Sequence, residues 1–430
     1  MKVVVANALG RLVNGKFVYA FPSRWDGAWH AGQRGWTHYP YELAYLSTLL
    51  KRELFDDQIQ FVDGNHESLG EDEYVRRLSL LLPDVLVTEA SVVTYEPMTR
   101  IANAIKRNSQ CATILTGPVG TYDPKTALAA GWDYVVPGEY EAKVLAILKG
   151  QDPPTTYIDV NWLPWPEDED ICRAEYQDPH TMAVFPGHIQ MFATRGCPLS
   201  CTFCAVPLYY GGHNRTARSH RQRDPHDVCD EIEYLAAKHP TFTGAFFNEE
   251  THNANVAWLE EFCKALIRRG LDRFSYDAMC GYWPMTEELI QLCAAAGYKE
   301  FRLGVESLEE STGKAIHKRV DRDRFERVLR WCKASKIQVY GTFQVGAPGS
   351  TSDGDVRTIK QAKAWRTQEL LQHWQCSIST PQPGTPFYAT AKKEKWLITE
   401  DMSQYNGVQA VISYPHYPSE DIFANWQTSR

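Results

Sequence analysis

Arg195-Gly196-Cys197-Pro198-Leu199-Ser200-Cys201-Thr202-Phe203-Cys204 holds three cysteines at C-x-x-x-C-x-x-C spacing. They follow Ile189-Gln190-Met191-Phe192-Ala193, an apolar run that reads as a strand. Three thiolates on one tight loop can hold three irons of a four-iron cube and leave the fourth iron open. Zinc is the competing reading. It calls for four ligands, usually in two pairs, and no second cysteine pair lies near, although His213 and His220 could complete a site.

Outward from this loop, the bulk of the 430-residue chain has room for two or three domains. Its 43% hydrophobic and 23% charged residues fit a globular protein. A formal net charge of −8 argues against a general polyanion-binding surface. No apolar run reaches the roughly 18–20 residues that span a bilayer, and Met1-Lys2-Val3-Val4-Val5 enters a strand directly, unlike a signal peptide. Eleven cysteines in that setting fit a reducing cytoplasm. Cys229, Cys263, Cys293 and Cys332 fall in helical patterns and read as small core residues.

Residues 1–150 alternate strand and helix five times, with strands expected near 2–8, 58–62, 84–88, 112–115 and 134–136. Strict alternation predicts a doubly wound, Rossmann-like α/β domain with a parallel sheet, whose ligands bind at the strands' carboxyl ends. Glu89-Ala90-Ser91-Val92, the loop Thr116-Gly117-Pro118-Val119-Gly120 and Pro137-Gly138-Glu139 occupy those ends. An aromatic-rich loop over 11–39 reads either as a lid or as plain packing. Residues 151–187, with their prolines and the acidic Glu167-Asp168-Glu169-Asp170, read as an irregular linker.

Residues 188–395 give six further strand–helix repeats, a partial (β/α)6 barrel with its function at the strands' carboxyl ends. Asn248-Glu249-Glu250, Gly304-Val305-Glu306-Ser307, Gly346-Ala347-Pro348-Gly349 and Pro381-Gln382-Pro383-Gly384-Thr385-Pro386 fall at such ends. The basic run from His213 to Arg223 reads as a solvated surface loop or as a receiver for a phosphate or carboxylate. Residues 396–430 form a short, proline-broken aromatic segment expected to cap the barrel or the substrate.

The cysteine spacing, with Phe203 before the last cysteine, resembles the radical S-adenosylmethionine (radical SAM) enzymes. The α/β domain ahead of it is similar to that of their cobalamin-dependent members. The resemblance covers roughly residues 1–395. It implies that Cys197, Cys201 and Cys204 hold a [4Fe-4S] cluster whose open iron binds SAM. It places Phe203, Asn248, Glu249, Glu250, Gly304, Glu306, Ser307 and Gly346 near SAM. It places Ser91, Val92, Gly117, Pro118, Gly120, Gly138 and Glu139 near cobalamin. The first loop, Asn7-Ala8-Leu9-Gly10, lacks the histidine that ligates cobalt in other cobalamin proteins, and Asp63-Gly64-Asn65-His66 follows the wrong strand, so no histidine ligand is expected.

The activity so implied is radical methylation of an unactivated carbon, or of phosphorus, in a small molecule. SAM is cleaved to a deoxyadenosyl radical and methylcobalamin donates the methyl group. An external reductant of flavodoxin or ferredoxin type would supply electrons. The alternatives are a radical cyclase or rearrangement enzyme that transfers no methyl, and a non-catalytic iron–sulfur or cobalamin carrier. No separate basic RNA-binding domain follows the barrel, so a nucleic-acid substrate is not expected.

Overall fold

Short runs of β-branched residues build the first sheet, and their alternation decides what each face packs on. The computed structural model describes residues 1–13, 16–18, 39–176, 187–210 and 219–430. Strand β1 (Lys2–Ala6) lies between β2 (Gln58–Val62) and β3 (Val85–Glu89), and β4 (Ala112–Thr116) and β5 (Tyr134–Val135) extend the sheet in the order 2-1-3-4-5, all parallel. Val4 and Ala6 face a core with Leu86, Leu115, Met98 and Ile101, closed by Tyr74 and Leu78 of the helix Glu71–Leu80. Val3 and Val5 are equally buried on the other face, where helix Tyr41–Glu53 packs against β1 and β2. The order reverses between β1 and β3, so loops leave their carboxyl ends in opposite directions and open a crevice there.

One detail differs from the sequence-based expectation. Gly117–Tyr122 is a short helix beginning directly after β4 rather than a loop, with Pro118 in its first turn, where a missing N–H costs nothing. The acidic linker is anchored: Glu167 is fully buried, accepts from Ser47 Oγ at 2.6 Å and pairs with Lys51 Nζ at 2.8 Å. Burial opposes the charge on Glu167, but Lys51 and Ser47 outweigh it and hold the carboxyl below its ordinary range.

The second sheet has six parallel strands in sequence order: β6 (His188–Met191), β7 (Gly244–Phe247), β8 (Ser275–Cys280), β9 (Tyr298–Glu306), β10 (Gln338–Val345) and β11 (His373–Ile378). Among the described residues β6 and β11 do not pair, so the barrel is partial. Its outward residues, such as Phe301, Leu303, Val339 and Val345, are buried under helices. The helices Pro225–Lys238, Val256–Arg268, Glu287–Ala295, Arg322–Ala334 and Ser352–Thr367 each begin at a side-chain cap: Asp224, Asn255, Thr286, Asp321 and Thr351. Each cap accepts a backbone N–H that the first turn leaves unpaired.

The chain separates into two compact units, Met1–Asp178 with Ala205–Ala217 and Asp401–Asn406, and Pro179–Cys204 with Arg218–Glu400 and Gly407–Arg430. Most of the aromatic 11–39 loop and the first half of the basic run lie outside the described residues. The tail carries a helix, Ser419–Thr428, that packs on Ser352–Thr367, with Trp426 Nε1 donating to the Cys376 carbonyl at 3.0 Å.

Candidate active site

The cysteine loop is made by a hairpin that the strand reading did not foresee. After β6 the chain turns into Thr194–Cys197, which pairs antiparallel with Ser219–Gln222. Gly196 permits this: its φ is +88°, and a Cβ there would stand 2.3 Å from the Ser219 carbonyl oxygen. Beyond the hairpin, Cys201 and Cys204 lie on one turn, with Cys204 N–H donating to the Cys201 carbonyl at 3.2 Å. Thr202 N–H donates to the Ile316 carbonyl at 3.1 Å, and the Thr202 carbonyl accepts from Phe387 N–H at 2.9 Å. All three cysteines are half-buried.

The end of β7 grips this loop. Glu249 Oε2 accepts from Ala193 N–H at 2.7 Å and Thr194 N–H at 2.6 Å, and Glu250 Oε2 accepts from Gly196 N–H at 2.9 Å. Thr251 Oγ1 is 3.3 Å from Cys197 Sγ. The other Glu249 oxygen bonds His252 Nδ1, and His252 Nε2 meets Tyr298 OH at 2.6 Å. Glu249 is only 2% exposed. Asn248 and Glu250 are the half-exposed members of that trio.

Glu306 ends β9 in strained geometry. Its φ is +69° and the register with β10 slips between Gly304 and Glu306. The carboxylate meets Lys318 Nζ at 2.9 Å through Oε1 and Gln344 Nε2 at 2.7 Å through Oε2. Lys318 had no sequence signal beyond the short basic run His317-Lys318-Arg319. Ser307 is buried and its Oγ accepts from Glu309 N–H at 3.2 Å, a turn-forming contact. Gly346 is enclosed by the tail: its N–H donates to Asp355 Oδ2 at 2.7 Å, its carbonyl accepts from Tyr414 OH at 3.0 Å, and a Cβ would stand 2.8 Å from Ile422. Phe203 and Gly304 are half-exposed. Arg223, offered above as a surface or anion-binding group, is buried; it bonds the Phe192 carbonyl at 2.8 Å and pairs with Asp227 and Glu231.

Burial pushes the Cys201 thiol up to about 11 and raises that of Cys197, while Lys318 opposes both shifts. A metal bound here would have to displace protons from these thiols. Among the described residues no three Cys, His, Asp or Glu side chains are placed to share one metal ion. Three thiolates that each bind a separate iron of a cube need no such common point. Three half-buried thiols on one loop are a donor set that fits a cluster.

At the first sheet the expected positions are drawn together by the chain's own bonds. Ala90 N–H donates to the Thr116 carbonyl at 3.2 Å, Val119 N–H to the Ala90 carbonyl at 3.1 Å, and Gly138 N–H to Thr121 Oγ1 at 3.0 Å. Ser91 N–H donates to Thr94 Oγ1 at 3.0 Å. Ser91, Val92, Gly117, Pro118, Gly120 and Gly138 are buried and Glu139 is half-buried. The missing side chains of Gly117 and Gly138 make room for protein atoms, Glu89 Cβ at 2.9 Å and the Tyr209 carbonyl oxygen at 3.2 Å, not for an open cradle. His66 lies stacked on Tyr176 with its Nε2 at 2.7 Å from Glu175. The strand order fits a flat ligand at the crevice; these residues supply it a braced platform rather than a set of donors.

Residues 191–362 match the model of the radical SAM superfamily. An uncharacterised methyltransferase of Pyrococcus horikoshii is 24% identical over 90% of this chain and 86% of its own length. The anaerobic magnesium-protoporphyrin IX monomethyl ester cyclase of Rubrivivax gelatinosus is 25% identical over 87% of this chain and 69% of its own. Among solved structures, the radical SAM methyltransferase TsrM of Kitasatospora setae, with cobalamin and a [4Fe-4S] cluster bound, superposes with a TM-score of 0.69 at 17% identity, covering 93% of this chain and 79% of that one. Residues 191–362 are thus similar to the radical SAM superfamily, and the α/β domain followed by a partial barrel is the fold of the cobalamin-bound TsrM structure.

Proposed function

We propose that the chain is a radical SAM methyltransferase that uses a [4Fe-4S] cluster, SAM and cobalamin to methylate an unactivated carbon, or phosphorus, of a small molecule. The observation that carries this reading is the three-cysteine loop at the mouth of a six-stranded partial barrel, in a chain whose α/β domain has the 2-1-3-4-5 order. When bound, the cluster would supply the electron that cleaves SAM and the cobalamin would supply the methyl group.

Cys197, Cys201 and Cys204 hold the cluster. Glu249 and Glu250 fix the loop that carries them through its backbone N–H groups. Asn248, Glu250, Phe203 and Gly304 are the half-exposed groups offered to SAM. Glu306 acts through its pair with Lys318. The loops around Ser91, Gly117 and Gly138 would hold the cobalamin. An external one-electron reductant of flavodoxin or ferredoxin type serves the cluster, and the chain works in the cytoplasm. No helix among the described residues is long and apolar enough to cross a membrane.

The test is anaerobic reconstitution with iron, sulfide and hydroxocobalamin, then desalting. About one cobalamin and one four-iron cluster per chain are expected. A cluster without corrin would reduce the reading to a radical SAM enzyme without cobalamin. The similarity to the Rubrivivax cyclase favours a second reading, ring closure without methyl transfer. Methyl-labelled SAM separates the two, because the label enters the product only in a methylation.

A further inference from the structure

We propose that Lys318 is a positioning residue that sets the charge beside the cysteine loop and so raises the reduction potential of the cluster bound there. The inference rests on the cluster reading above. Lys318 follows the helix Glu310–Ala315, in a turn closed by its own N–H donating to the Gly313 carbonyl at 2.8 Å, with His317 at φ +56°. That turn is tied to the cysteine loop at two points. Thr202, the residue after Cys201, donates its N–H to the Ile316 carbonyl at 3.1 Å and its hydroxyl to the Ala315 carbonyl at 3.3 Å. These bonds fasten the backbone of the turn that carries Lys318 to the cysteine loop.

Three further features hold the charge in place. The Lys318 side chain is 13% exposed and its Nζ lies 2.9 Å from Glu306 Oε1. Glu306 points there because of the register slip and its left-handed backbone, and Gln344 holds its second oxygen. Gly304 leaves the path open, since a Cβ at that position would stand 2.9 Å from Nζ. Arg302 on the same strand is different: Asp277 and Glu300 both neutralise it, whereas Lys318 pairs with the one carboxylate of Glu306.

A buried cation stabilises the more negative of two redox states, and local charge and hydrogen bonding are what set iron–sulfur potentials. Removing the ammonium leaves Glu306 unopposed and disfavours reduction. Removing the carboxylate does the reverse. Neither shift follows if the pair merely braces the turn.

The experiment reconstitutes the full chain with iron and sulfide, without SAM, and follows the reduced-cluster EPR signal through a redox titration at pH 8. Lys318→Met is expected to keep its iron and move the midpoint to more negative potential, Lys318→Arg to stay near the parent value, and Glu306→Gln to move it to more positive potential. If Lys318→Met loses its iron, Glu306→Gln decides alone. Unshifted midpoints in the iron-loaded variants, or shifts of one sign in Lys318→Met and Glu306→Gln, overturn the proposal. A parent chain that takes up no cluster overturns the cluster reading instead.

Discussion

The two parallel sheets treat their carboxyl ends in opposite ways. At the first, the loops after β3, β4 and β5 bond to one another, and Gly117 and Gly138 make room for neighbouring protein atoms. Two buried carboxylates there are answered by phenols, Glu89 by Tyr140 at 2.9 Å and Asp63 by Tyr176 at 3.0 Å. At the second, thiols, amides and carboxylates stay half-exposed at Cys197, Cys201, Cys204, Asn248 and Glu250, with an ammonium behind them and strain stored at Glu306. One end offers shape and the other offers charge. A ligand of the first must be recognised by fit, and a ligand of the second by ligation and electrostatics.

The sharpest way to break the contrast is to remove a thiol. Replacing Cys197, Cys201 or Cys204 by alanine is expected to abolish iron retention and SAM cleavage while leaving bound corrin near one per chain, as independent sites require. Iron, sulfide and corrin assays on the same desalted samples check it. Loss of corrin along with iron would show that the two ends do not act separately.

Next in size is a pH effect at the barrel end. Burial raises the Asp355 carboxyl to about 7, against the opposing bonds from Gly346 N–H and Tyr417 OH. An acid with a raised folded value binds its proton more tightly when folded. Its contribution is therefore full below the unfolded value and is lost as pH rises through the folded one. Three units correspond to up to about 4 kcal/mol between roughly pH 4 and pH 7. Asp355→Asn is expected to flatten that window in urea-denaturation midpoints taken at successive pH values. Asp63, buried at the end of β2, is raised in the same direction, and its asparagine variant extends the comparison to the first sheet.

A smaller effect separates two glycines. Gly196→Ala meets a carbonyl oxygen at 2.3 Å and Gly117→Ala meets Glu89 Cβ at 2.9 Å, both at positive φ. Each is expected to cost about 1–3 kcal/mol of stability. Only Gly196→Ala should also weaken iron retention, because Gly196 shapes the hairpin that leads into Cys197. Thermal melts paired with iron content read both.

Both sheets were legible in the sequence because parallel strands buried on two faces write themselves as apolar runs, and the helices announce their caps, as Asp224, Asn255 and Thr286 do. The cysteines were legible because their spacing is local. The hairpin after β6 was not, since its partner Ser219–Gln222 lies more than twenty residues on and carries no apolar alternation. The interior role of Glu249 and the exposed one of Glu250 were equally hidden. Adjacent carboxylates look alike until His252 and two backbone N–H groups claim one of them. Lys318 reaches the site only through a turn and a register slip, neither of which leaves a pattern in the chain.

The smallest expected effect concerns His66, the only histidine in the loops after β1 and β2 among the described residues. Its Nε2 is committed to Glu175 at 2.7 Å and its ring to Tyr176 at a centroid distance of 4.7 Å. With side chains 27% and 59% exposed, the pair with Glu175 contributes about 0–1 kcal/mol. His66→Ala should accordingly melt within a few degrees of the parent. It should also retain the same corrin with an unchanged cob(II)alamin EPR spectrum. Nitrogen hyperfine splitting that is present in the parent and lost in the variant would make His66 a cobalt ligand. The first sheet would then recognise its ligand by coordination as the barrel does, and the division between shape and charge would no longer hold.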